Sequence, residues 1–240
     1  MNSTIDTLLS HRSIRAFTPE PIKQEQLQAI LDCGIAASSS SFIQCVSIVR
    51  VTDQTKREKL AEYAGNQAYV ANCAEFFVFC IDYNRHKQIH PDAQLGFTEQ
   101  TLIGSIDAGL MAQNCLTAAE SLELGGVYIG GLRNNPDKVA DLLELPENVL
   151  PLFGLCLGHP AQAPEIKPRL PKQILVHENQ YQTLDTDVLA TYDKVIEQYY
   201  ATRTDNKKTM SWSEQITGTL SKEARPFMKA FLHKQGFSIK

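Results

Sequence analysis

Apolar residues recur along this chain with two different periods. Ile5, Leu8 and Leu9 share one face of a helical projection, which predicts a short helix over 3–10 with Ser3 or Thr4 as its cap. The run Thr18-Pro19-Glu20-Pro21 breaks the pattern, and Leu27, Ile30, Leu31 and Ile35 restore helical spacing over 23–36. Residues 43–51 are rich in β-branched side chains and predict a strand. A short charged helix is expected over 56–63, and the continuous apolar run EFFVFCID at 75–82 reads as a buried strand.

Residues 83–97 read as a polar loop. The proline-free segment 98–122 carries Gly104, Ala108, Gly109 and Ala112, small residues that let another backbone come close. It predicts a buried central helix, apolar nearly all round, ended by Gly125-Gly126. A short strand at 127–129, a helix at 136–145 and a strand at 150–157 follow. Four prolines between 160 and 171 imply an extended connector, and 185–201 is an amphipathic helix. Strands and helices mix without strict βαβ alternation. The expected class is therefore α+β with a small, mainly antiparallel sheet flanked by helices.

Composition narrows the function classes. The 240 residues include 23 basic and 27 acidic side chains, a net charge of −4, and 43% are apolar. These values suit a globular chain, not a disordered one. The longest apolar runs fall far short of the ~20 residues of a membrane span, so no membrane association is expected. The first ten residues lack the features of a secretory signal. The cysteines at 33, 45, 73, 80, 115 and 156 form no C-x-x-C pair and read as buried reduced thiols of a cytoplasmic protein, with no metal site. The charge is unevenly spread. Residues 1–200 carry 15 basic and 24 acidic side chains, hence −9, whereas 201–240 carry 8 and 3, hence +5. A basic tail on an acidic body is compatible with a polyanion-binding arm, a docking arm or neither.

Four segments could carry chemistry. His11-Arg12-Ser13-Ile14-Arg15 gathers three potential cations and a hydroxyl, the donor set of a phosphate clamp; arginines that merely complement a helix dipole would look the same. Ser38–Ser41 could line a polar ligand edge or form an ordinary loop. Gly125-Gly126 and Gly130-Gly131 would let backbone approach a ligand or turn tightly, and the G-x-G-x-x-G dinucleotide fingerprint is absent. Lys167-Pro168-Arg169 presents two cations on a stiff extended segment, as clamp or solvated linker. Gln67 and Tyr69 could add hydrogen bonds.

Taken in order, HRSIR at 11–15, AASSSS at 36–41, GNQAYV at 65–70, GGVYIGGLRN at 125–134, LGHP at 157–160 and KPRLP at 167–171 resemble the oxygen-insensitive, NADPH-dependent nitroreductase and flavin reductase family, in its larger-chain subgroup. The resemblance spans essentially the whole chain. It implies a homodimer of nitroreductase-like sandwiches, with a core at 1–200 and a basic extension at 201–240 that embraces the second subunit and recognises NADPH. It implies one tightly bound FMN per subunit, at the dimer interface. His11, Arg12, Ser13, Lys167 and Arg169 would hold the phosphate, ribityl chain and ring edge. Arg15, Ser39 and Gln67 would bond the polar edge of the ring, while Ile129, Gly130 and Gly131 would add backbone contacts and Glu99 would lie nearby. Arg203, and more weakly Arg133, would meet the 2′-phosphate of NADPH.

The implied activity is ping-pong transfer of hydride from NADPH to FMN, then two-electron reduction of a second acceptor such as free flavin, a nitroaromatic or a quinone. The chemistry belongs to the cofactor, so no side chain need be a nucleophile or general base. Two other readings compete. One is a flavin-binding protein without turnover. The other is a nucleic-acid-binding module built on the basic tail, which the acidic body and the lack of interleaved aromatics disfavour.

Overall fold

The computed structural model describes residues 2–204 and 207–240. Their elements begin with α1 (Ser3–Leu9), α2 (Gln24–Ile35), β1 (Val46–Arg50), α3 (Gln54–Tyr63), α4 (Tyr69–Asn72) and β2 (Glu75–Asp82). The chain continues through α5 (Asn84–Ile89), α6 (Thr98–Ser121), β3 (Gly125–Ile129), α7 (Pro136–Leu142) and β4 (Val149–Gly158). It ends with α8 (Lys172–Leu175), α9 (Thr186–Thr202), α10 (Trp212–Leu220) and α11 (Met228–Lys234). The strands form one sheet in the order β1-β2-β4-β3, with every pairing antiparallel. The expected α+β class is what the chain adopts.

The chain divides into two compact units, residues 1–163 with 225–240, and residues 164–224. The boundary expected at residue 200 falls inside α9.

In the first unit β2 explains the packing. Its side chains alternate across the sheet as pleating requires. Phe76, Val78 and Cys80 enter a core with Leu60, Val70, Leu132 and Val139, contributed by α3, α4 and the chain around α7. Phe77 and Phe79 enter a second core with Leu27 and Ile30 of α2 and Ala108, Ala112, Cys115 and Leu116 of α6. Both faces are covered, which is why β2 is apolar throughout rather than at every second residue. Phe231 and Phe237 join Ile81, Tyr83 and Leu150 in a third cluster, so α11 returns to this unit.

The small residues of α6 act largely as expected. Gly104 leaves room only for the Ile81 side chain, and Gly34 of α2 is closed off by Cys115. Gly109, however, faces open space, and Leu102, Ile106 and Leu110 are 54%, 62% and 44% exposed. The central helix is therefore buried on one side and open on the other. Helix α1 likewise buries none of Ile5, Leu8 and Leu9, and Asn2 caps it.

Several boundaries move for local reasons. Gly125 and Gly126 lie inside β3 instead of ending α6, because a Cβ on Gly126 would meet the Cys156 carbonyl and the Leu157 side chain. The turn out of α6 is made at Glu123 with φ 63°. Left-handed Gln44, φ 54°, delays β1 to Val46, and left-handed Glu144 ends the α7 region early. The segment 83–97 contains α5, whose N-terminus Asp82 holds by accepting from the Arg85 N–H at 3.1 Å. Cys33 is exposed, contrary to expectation, and the other five cysteines are buried.

Residues 14–18 run along the outer side of β3 and past the end of β4. The Ile14 N–H donates to the Gly126 carbonyl at 3.0 Å and the Thr18 N–H to the His159 carbonyl at 2.9 Å. The Ala161 N–H donates to Ala16, and Phe17 bridges Pro160.

In the second unit α8, α9 and α10 gather around Tyr192, Ile196 and Tyr200, with Leu170, Leu189 and Trp212 against them. Ser211 caps α10 and its Glu214 completes a capping box. Asp185 caps α9 by accepting from the N–H groups of Asp187 and Val188. No helix among the described residues is long and apolar enough to cross a membrane.

Candidate active site

The strand-like path of residues 14–18 fixes what precedes it. His11 leaves α1 and meets the last turn of α6, where its Nδ1 lies 2.6 Å from Glu120 Oε1. Arg12, Glu120, Glu123 and Gly125 line a cavity of about 450 Å³, closed by Pro160 and Gln162. This places His11 and Arg12 at the C-terminal end of α6, with Ser13 next in the chain.

Four residues further on, Arg15 reaches Tyr69. Burial pushes the Tyr69 phenol up, opposed by the charge and hydrogen bond of the Arg15 guanidinium. The Tyr69 hydroxyl in turn donates to Gln67 Oε1, and Gln67 Nε2 donates to the Ala64 carbonyl at 2.5 Å. Gly131 packs so close to Ala64 and Gln67 that a Cβ there would strike both. Arg15, Gln67, Tyr69 and Gly131 are thus one constellation, drawn from the N-terminal segment, the turn after α3 and the turn after β3. Ile129 is buried at the end of β3, and Gly130 and Gly131 open the 3-10 turn that follows.

Arg133 has a structural engagement. Its Nη1 donates to the Leu152 carbonyl at 2.6 Å, and desolvation, with the charge of Arg225, lowers its pKa.

Ser39 and Glu99 lie elsewhere in the same unit. Ser39 Oγ accepts from the Gln44 N–H at 2.8 Å. The next N–H, of Ser40, donates to both oxygens of buried Asp107 at 3.2 Å. Ser41, Phe42 and Gln44 all have positive φ, a strained path for non-glycine residues, and Phe42 is exposed. The serine run is therefore a built loop rather than a loose one. It borders a broad depression of about 820 Å³ that also meets Arg85 and Asp107. Glu99 sits in the first turn of α6, and Glu120 in its last. At 1.5 Å per residue these turns are roughly 30 Å apart. Within one chain, then, the structure brings His11, Arg12, Ser13, Arg15, Gln67, Gly130 and Gly131 into one region and leaves Ser39 and Glu99 outside it.

The remaining expected residues belong to the second unit. Lys167 Nζ donates to the Tyr200 hydroxyl at 2.8 Å, and that hydroxyl donates to Gln215 at 2.7 Å. Arg169 Nη1 donates back to the Lys167 carbonyl, and the Tyr192 hydroxyl donates to the Pro168 carbonyl, so the extended cationic segment is tied to α9 at two points, Lys167 and Pro168. Arg203 caps α9 with its guanidinium over the rings of Tyr199 and Tyr200, at 6.0 and 5.5 Å from their centroids. The neighbouring Thr204 donates its N–H and hydroxyl to Glu165, whose carboxyl these bonds hold below its ordinary range.

Two residues escaped the sequence reading, Glu120 and Asp107. Both are acids on the helix expected to be apolar all round. An acid on such a helix must find a partner when buried, and that was the usable signal.

The donors around His11–Arg12 and Arg15–Gln67 suit a ligand with a phosphate at one end and a polar ring edge at the other. Known proteins resemble the chain over its whole length. The nitroreductase family profile matches residues 8–159, and the profile of the nitroreductase family C-terminal domain matches 167–240. The NADPH-flavin oxidoreductase of Vibrio harveyi is 60% identical over 238 residues, covering 99% of each chain. The oxygen-insensitive NADPH nitroreductase of Salmonella typhimurium is 56% identical over 240 residues, covering all of both. The solved structure of NADPH:FMN oxidoreductase from Vibrio harveyi complexed with NAD+ superposes with a TM-score of 0.94 at 57% identity, again over both whole chains. With two profiles spanning most of its length and relatives more than half identical to it, the chain belongs to the nitroreductase family.

Proposed function

We propose that this protein is an FMN-dependent NADPH oxidoreductase that reduces small electron acceptors such as free flavin, nitroaromatics or quinones. The observation that carries the reading is the constellation of Arg15, Tyr69, Gln67 and Gly131, a few residues along the chain from His11 and Arg12, in a chain of this family. FMN bound here would supply the two-electron redox chemistry between NADPH and the acceptor.

The chain's own residues bind and tune. His11, Arg12 and Ser13 hold the phosphate and ribityl chain. Lys167 and Arg169 are assigned to the same cofactor on the resemblance. Gln67, held at both ends of its amide, keeps one N–H that would bond the polar edge of the ring. Arg15 sets a fixed positive charge where reduction builds negative charge, in a site preorganised by Tyr69. Gly131 lets the turn after β3 close onto Ala64 and Gln67, and the backbone of Gly130 and Gly131 is assigned to the ring on the resemblance. Arg203 meets the 2′-phosphate of NADPH, and Arg133, occupied by the Leu152 carbonyl, is the lesser candidate.

The protein works as a cytoplasmic homodimer in this reading. Ser39 and Glu99 are too far along α6 from His11 to serve the same flavin from the same copy. The open apolar face between them, Leu102, Ile106 and Leu110, is the kind of surface a second copy covers. Each copy would then lend Ser39 and Glu99 to its partner's cofactor, and the 201–240 extension would wrap the partner.

Purified protein titrated with FMN tests the core of this proposal. The expected outcome is a perturbed flavin spectrum, saturating at one FMN per chain, and NADPH oxidation that requires an added acceptor. Protein that leaves the spectrum of free FMN unchanged would contradict it.

A further inference from the structure

Glu120 is in an unfavourable place for a carboxylate. It sits in the last turn of α6, where the helix dipole is negative. Its side chain is 12% exposed, and Oε2 is buried with no hydrogen-bond partner. It shares a depression with a second acid, Glu123, and with Arg12. The helix dipole, burial and the neighbouring acid all make this a costly place for a carboxylate. Packing alone would be served better by an apolar residue.

One contact accounts for the acid. Oε1 lies 2.6 Å from His11 Nδ1, a short, charge-assisted geometry. A carboxylate at that distance can only accept, and its partner Nδ1 is then the donor. The bond also fixes the rotation of the ring and turns Nε2 away from α6. We infer that Glu120 is a positioning residue. It locks the His11 ring and the proton on Nδ1, so that Nε2 is presented to the phosphate of the bound flavin, much as a carboxylate behind a metal-binding histidine fixes its tautomer. This rests on the assignment of His11 to that phosphate. The cost of a buried acid near an anion is offset by holding the imidazole in one orientation before the ligand arrives.

The experiment measures the FMN dissociation constant of the holoenzyme by equilibrium ultrafiltration for the wild type, Glu120→Ala, Glu120→Gln, His11→Ala and the double variant His11→Ala/Glu120→Ala. Glu120→Ala is expected to weaken FMN binding about tenfold, the loss of one charge-assisted orienting bond. Glu120→Gln keeps an acceptor for Nδ1–H and is expected to weaken it less than about threefold. In the His11→Ala background, removal of Glu120 is expected to have no further effect. Nitrogen-15 spectra of His11 give a readout independent of affinity, with Nδ1 protonated in the wild type and Glu120→Gln and not locked in Glu120→Ala.

Unchanged or tighter FMN binding in Glu120→Ala, beside a weakened His11→Ala, overturns the positioning role alone. An equal loss from removing Glu120 with or without His11 also overturns it. Wild-type affinity in His11→Ala overturns the assignment of His11 to the phosphate, and with it the purpose given to Glu120.

Discussion

At the scale of single residues, chemistry was legible where it was concentrated and hidden where it was supplied from afar. The HRSIR segment announces donors in one short stretch, and the structure keeps four of its five residues at the edge of the site. Glu120 and Asp107 could not be found that way, because their partners lie 109 and 67 positions away in sequence. Arg133 looks in sequence like any other cation of a glycine-rich turn, and only its bond to the Leu152 carbonyl separates it from Arg203. That separation is measurable. Arg203→Ala is expected to raise KM for NADPH at least about tenfold with kcat within about twofold, because it removes binding energy common to ground and transition states. Steady-state kinetics with saturating acceptor checks it, and an unchanged KM would remove Arg203 from the NADPH site.

Among the elements, β2 and α6 carry most of the architecture. The EFFVFCID run predicted a buried strand and is one, and the structure covers it on both faces, since alternate side chains enter opposite cores. Helix α6 was half legible. Its small residues foretold close packing against α2 and β2, but the same apolar composition was read as burial all round. Hydrophobicity reports what an element avoids, not which molecule covers it, and among the described residues nothing covers this face. The open face makes its own prediction. Ile106→Glu would set a charge in the middle of the apolar patch and is expected to raise the dissociation constant of the proposed dimer at least tenfold, or about 1.4 kcal/mol. Sedimentation velocity across a dilution series measures this, and an unaltered association state would show that the dimer uses another surface. Boundaries were the least legible, because they are set by left-handed residues such as Gln44, Glu123 and Glu144 that carry no glycine to mark them.

Across the whole molecule, the basic tail changes meaning. Of its cations, Arg225 donates to Asn134, Lys234 pairs with Asp137, Lys240 lies over the Phe97 ring and Lys208 near the Tyr200 ring. Charge that looked like an arm for a polyanion is largely spent within the fold. The path of residues 11–18 has a consequence of a different kind. The stretch proposed to grip the cofactor, His11 to Ser13, is continuous with a stretch that bonds the free edge of β3 at Gly126 and then pairs with residues 159–161. An uncovered strand edge is a template for other chains, and this short segment helps to cover that edge at its start. Ligand binding and colloidal behaviour are thereby mechanically joined: whatever anchors residues 11–13 resists peeling of 14–18. Stripped of FMN, the protein is expected to scatter light at a lower temperature than the loaded form, by more than added FMN delays the unfolding of a segment elsewhere. Equal onset temperatures for the two forms would break that connection. A shortage of flavin in the cell would then be felt first as lost solubility, before any shortfall in turnover.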